Sequence, residues 1–148
     1  MTANSQSTDR IPVLLRGAWF GLNRCLRSEI RKLGITTAQY TALRCIKENK
    51  GLSQVTLAEL LSTNKNNCSG LVKRLCHLNL IQKKVTSSDL RTNEIKITAK
   101  GKKIFTQAEQ KAKQLRLEVL NQLPKNAEEK LIKYLGICHD SLEWKEKI

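Results

Sequence analysis

The sequence predicts a mainly α-helical fold with a small basic β-wing, and three observations carry that reading. Residues 57–78 hold two apolar helical faces separated by the polar break Ser62-Thr63-Asn64. Residues 81–85 and 94–97 alternate apolar and polar side chains, the period of paired strands. Across residues 62–103, ten Lys or Arg stand against two acids, Asp89 and Glu94.

Each element has a local cause. Residues 1–8 read as a polar tail, and Thr8 or Asp9 can cap a first helix that has Pro12 in its opening turn. That helix carries Val13, Leu14, Trp19, Leu22, Cys25, Leu26, Ile30 and Leu33 to a stop at Gly34. Thr36-x-x-Gln39 is a capping box that opens a helix through Tyr40, Leu43, Arg44, Ile46 and Lys47, ending near Gly51. Ser53 caps the next, with Leu57, Ala58, Leu60 and Leu61 on its apolar side. Cys68, Leu71, Val72, Leu75 and Leu78 then repeat at the spacing of one buried helix face.

The opposite face of that helix carries Asn66, Asn67, Ser69, Gly70, Lys73 and Arg74, with no acid among them. Ile81, Lys83 and Val85 begin a hairpin that returns through Ile95 and Ile97, with residues 86–93 as a projecting loop. Thr98 caps a long helix from Ala99 to about Leu123, ended by Pro124, and Asn126-x-x-Glu129 opens the last one. The predicted order is α-α-α-α-β-β-α-α: a helix-turn-helix with a wing at about 36–98, flanked by long helices at about 9–33 and 99–148, in one domain spanning 1–148.

Charge narrows the function. The chain of 148 residues has 27 Lys+Arg against 13 Asp+Glu, a formal +14, which calls for a polyanionic partner. No apolar run approaches the roughly 18 residues of a spanning helix. The first ten residues, MTANSQSTDR, lack a basic start and a clean apolar run, so no membrane partner and a cytoplasmic location are expected. Five cysteines (Cys25, Cys45, Cys68, Cys76 and Cys138) form no C-x-x-C, and with two histidines no metal site or cofactor is expected. An enzyme is not expected either. Cys138-His139-Asp140 has the residue types of a catalytic relay, but consecutive helical residues point about 100° apart and are not expected to meet.

In this setting Asn66, Asn67, Ser69 and Lys73 are expected in a DNA major groove, where Asn suits adenine and Lys suits guanine. Asn64, Lys65, Arg74, Lys83 and Lys84 suit phosphate contact or helix-end chemistry. Gly70 would let the DNA backbone come close. An RNA-associated winged helix is the rival reading, but aromatic residues are only 4% of the chain and none lies between Lys65 and Lys103, which leaves nothing there for base stacking.

Asp89-Leu90-Arg91, then Ile97-Thr98 and Gly101, fit the pattern D-x-R-x-x-x-x-x-[L/I]-T-x-x-G, and with the helices of residues 35–75 the chain resembles the MarR (multiple antibiotic resistance regulator) family. Many members have a second Arg where this chain has Leu90. The resemblance implies a homodimer built from the terminal helices, binding a palindromic double-stranded operator. It implies that Arg91 enters the minor groove, held by Asp89, and that the protein is a transcription regulator, most simply a repressor, with activation by the same fold as the alternative. It also implies release by a small-molecule or redox effector. Trp19, Tyr40 and Arg44 are the pocket candidates, and Cys25, beside Arg24 and Arg27, is the redox candidate.

Overall fold

The computed structural model describes the backbone of residues 3–84 and 93–145 and the side chains of 10–84 and 93–141. The chain divides into two compact units, residues 1–112 and 113–148.

The first unit opens with α1 (Ala3–Arg31), which starts ahead of both predicted caps, Thr8 and Asp9, and holds Pro12 inside the helix. Residues 3–9 contain no Gly or Pro to stop the helix, and Pro12 inside it lacks a backbone donor and crowds the carbonyl four residues earlier. Gly34, at φ +77, turns the chain into α2 (Thr37–Glu48). The expected capping box is complete: Thr36 Oγ1 accepts from Gln39 N, and Gln39 Oε1 accepts from Thr36 N.

The helix-turn-helix follows as α3 (Gln54–Leu60), capped by Ser53, and α4 (Lys65–His77), capped by Asn64. Both helices end in the same way. Ser62 and Asn79 take left-handed conformations at φ 48 and φ 57. Thr63 N donates to Ala58 O and Ser62 N to Glu59 O; Leu80 N donates to Leu75 O and Asn79 N to Cys76 O. These are paired Schellman closures, which satisfy the last carbonyls and aim the chain into the next element.

The sheet has three strands. To the expected hairpin of β2 (Ile81–Lys84) and β3 (Glu94–Ile97) the structure adds β1 (Leu52–Ser53), giving the antiparallel order β1-β3-β2. Ile95 sits centrally, opposite both Lys83 and Leu52. Two residues carry no alternation, so β1 exists through its partner strand rather than its own pattern.

Long α5 (Ala99–Leu120) begins at the foot of this sheet. Thr98 Oγ1 donates to Asn79 O at 2.7 Å and accepts from Gly101 N at 2.9 Å. A Cβ at Gly101 would lie 2.0 Å from Leu80 O, so only glycine fits there. The Thr-x-x-Gly segment thus joins the start of α5 to the end of α4.

One core unites these elements: Ile30, Leu43, Leu57, Cys68, Leu75, Leu80 and Ile95 are fully buried. Phe105 of α5 belongs to this core and stacks on Tyr40 at 5.7 Å between ring centroids.

The second unit contains the end of α5, a turn at Pro124 and α6 (Ala127–Lys145). None of its described side chains is buried, and Val119, Ile132, Tyr134, Leu135 and Ile137 all lie open. Among the described residues, no helix is long and apolar enough to cross a membrane.

Candidate nucleic-acid interface

The reading face is built on α4. Cys68, Leu71, Val72 and Leu75 lock one side of this helix into the core, which turns Asn66, Asn67, Lys73 and Arg74 outward. Ser69 and Gly70 are half-buried between the two faces. Asn64 Oδ1 accepts from Asn67 N at 2.8 Å, so its oxygen caps the helix and is committed before any DNA arrives. Lys65 stands exposed in the first turn. A cavity of about 450 Å³ runs along this face, bounded by Ala38 and Thr41 of α2 and by Asn66, Asn67, Gly70 and Arg74 of α4. A Cβ on Gly70 would meet Arg74 Nη1 at 3.5 Å, an ordinary contact. The fold therefore does not require glycine at position 70, and a requirement would have to come from outside the chain.

The wing root is partly committed inward. Lys83 Nζ donates to Gln54 Oε1 at 3.1 Å, which ties β2 to the first turn of α3 and satisfies a buried amide. Lys84 is exposed. Asp89 and Arg91 lie outside the described residues.

The three expected pocket residues do not come together. Tyr40 Oη donates to Glu109 Oε2 at 2.5 Å, and Arg44 donates to both the phenol oxygen and, at 2.7 Å, that same carboxylate oxygen. Burial and the hydrogen bond to Glu109 both push the Tyr40 phenol above its ordinary value. Trp19 stands on α1, 63% exposed, and is no part of this cluster. Glu109 is the residue that sequence reasoning missed; an acid set among the lysines of α5 was the available signal.

The thiols separate by depth. Cys25 and Cys138 are exposed and free. Cys68 is buried, donates to Gln54 O at 3.5 Å, and is held protonated by burial, which raises its pKa. Burial also raises the thiols of Cys45 and Cys76. His139 Nδ1 and Asp140 Oδ1 approach to 3.2 Å, against the expectation that consecutive helical side chains do not meet. Both are long enough to bend over the helix surface, and both are widely exposed, with no enclosed site around them. Among the described residues no group of three or more His, Cys, Asp or Glu is placed to hold a metal ion.

A capped helix pair, an acid-free outward face on its second helix and a three-stranded sheet behind it define a winged helix-turn-helix. Residues 35–92 match the MarR family. The uncharacterized HTH-type transcriptional regulator YybA of Bacillus subtilis (strain 168) is 31% identical over 77 residues, covering 52% of this chain and 51% of that protein. The chain therefore matches about half the length of this curated relative. Its fold is similar to S. aureus MepR in a DNA complex, at TM-score 0.77 and 21% identity over 88% of this chain and 97% of that one. It is also similar to a mutant MarR from E. coli complexed with operator DNA, at TM-score 0.73 and 23% identity over 88% and 95% of the two chains. The family match spans α2 through β2, the helix-turn-helix and the first strand of the wing.

Proposed function

We propose that this chain is a sequence-specific, double-stranded DNA-binding transcription regulator that acts as a homodimer. The observation that carries this reading is the outward face of α4, where Asn66, Asn67, Lys73 and Arg74 are exposed on a helix whose other side is fixed in the core. Amide side chains there suit adenine edges, and cations suit guanine or phosphate. Solved relatives of the same fold have been captured on DNA, one of them on its operator. Enzyme chemistry is not part of this proposal.

The dimer is supported by unclaimed apolar surface. Ile11, Val13, Leu14, Leu15, Trp19 and Phe20 are all at least 45% exposed along α1, and the apolar residues of α6 are open as well. Apolar patches of this extent are uncommon on monomers. A two-fold dimer sets half-sites about one DNA turn apart, so the operator is an imperfect palindrome. We assign the sign as repression, in which bound dimer occludes the promoter. Release by a small aromatic acid has a chemical rationale, since such an acid would compete with Glu109 for Arg44. An oxidant acting at the exposed Cys25 is the alternative trigger.

The test is fluorescence anisotropy against the intergenic DNA beside the gene, with a scrambled duplex of equal length in parallel. A preference of about 10³ or more over the scrambled duplex is expected. Equal, steeply salt-dependent binding to both would overturn sequence-specific regulation.

A further inference from the structure

A second basic surface borders the opening of α2. Arg24, Arg27 and Arg31 follow one another at i, i+3 and i+7, so they share one face of α1. Two open cavities lie along them. One, of about 530 Å³, runs from Arg27 and Arg31 to Thr36 and Thr37 at the opening of α2. The other, also about 530 Å³, lies between Arg24, Arg27 and Arg31.

Among the described residues, none of these three guanidiniums has an acid partner. The carboxylate of Glu29, on the same helix, is already held by Lys32 at 2.5 Å and by Lys111 at 3.6 Å. Three arginines on one face without a counter-charge repel one another, and an external anion relieves that repulsion. The opening turn of α2 joins this surface to the reading face, because Thr36 and Thr37 border the arginine cavity while Ala38 and Thr41 border the α4 cavity. The α2 N-terminus adds its own positive partial charge in the middle.

We propose that Arg24, Arg27 and Arg31 form a phosphate track that continues the DNA contact beyond the helix-turn-helix and the wing. The inference rests on the DNA-binding reading above. The three side chains span about 10 Å of helix, the axial length of about three base pairs. Arginine forks suit phosphate oxygens at such a track, and the contact adds affinity without sequence preference.

The test compares the wild-type chain with R27Q/R31Q, R27K/R31K and the charge-matched control K130Q/K133Q on α6. Each is titrated onto specific and scrambled duplexes over a salt series, with thermal melts to verify folding. Two lost phosphate contacts lower the log–log salt slope by about two units and weaken both duplexes on the order of tenfold at physiological salt. R27K/R31K is expected to keep most of the slope, because lysine supplies the same point charge. A slope and affinity unchanged in R27Q/R31Q would overturn the track. An equal loss in K130Q/K133Q would overturn it as well, by showing that net charge alone is at work. Failure of the wild-type chain to bind any duplex would instead overturn the DNA-binding reading beneath it.

Discussion

The phenol of Tyr40 on α2 donates to Glu109 Oε2 on α5 at 2.5 Å, across 69 residues of sequence. Arg44 binds the same carboxylate, and Phe105, one turn before Glu109, stacks on the Tyr40 ring. A single carboxylate thereby fixes the helix-turn-helix bundle to the helix that leaves it.

Glu109→Gln keeps the shape and removes the charge. Arg44 and Glu109 are both more than a third exposed, so solvent screens their pair and the expected loss is about 1 kcal/mol. Tyr40→Phe removes one hydrogen bond and is expected to cost about 1 kcal/mol. Urea unfolding midpoints check both; no change in either variant would mean the cluster is decorative.

The same phenol gives a pH signature. Its folded pKa is raised above 10.0, so the native state keeps the proton longer than the unfolded chain does. Its contribution is whole below the unfolded value and is lost as pH rises through the folded one. Wild-type stability is therefore expected to fall above about pH 10, and Tyr40→Phe to fall less steeply. The difference between the two curves is the readout, because the buried thiols also titrate on the alkaline side.

Gly101→Ala places a methyl 2.0 Å from a backbone oxygen that cannot swing away. A loss of about 3 kcal/mol or more is expected, the upper range of overpacking, seen as a lower thermal midpoint. An alanine variant of wild-type stability would show that α5 can shift freely at its first turn.

Ser62→Gly acts in the opposite direction. Ser62 holds φ 48 in the turn between the two helices, a left-handed conformation that costs an ordinary residue about 1 kcal/mol. Glycine is expected to recover most of that, within the limit set by its own larger unfolded-state entropy. Equilibrium unfolding measures the sign directly.

Gly70→Ala separates folding from binding. In a helix interior, alanine is expected to stabilise the chain by about 0.5–1 kcal/mol, and the neighbouring Arg74 leaves it room. If the DNA backbone approaches here, the same variant binds operator more weakly in a duplex titration. A variant that is more stable and binds as well as wild type would remove the reason given for Gly70. Asn67→Ala, by contrast, is expected in the same titration to relax sequence preference and leave non-specific affinity nearly intact.

What was legible in the sequence was what is encoded locally. The capping box at Thr36, the caps at Ser53 and Asn64, and the apolar face from Cys68 to Leu75 each lie within one or two helical turns, and each stands where it was expected. The illegible parts depend on distant partners. Strand β1 is two residues paired to β3, Lys83 reaches back 29 residues to Gln54, and Arg44 reaches forward 65 to Glu109. Gly101 stood in a recognisable motif, but its reason, the carbonyl of Leu80, appears only when the two segments are folded together.

The bond between Lys83 and Gln54 bears on how the charge of the whole chain is understood. Lys83 is only one of several cations already employed inside the molecule: Arg44 serves Glu109, Lys96 serves Glu94, Lys32 and Lys111 share Glu29, and Lys100 holds Leu78 O. The 27 Lys and Arg are therefore a ceiling on the cations that a nucleic acid can engage. The counterions displaced from a nucleic acid would report the smaller population of cations left over once the fold has taken its share.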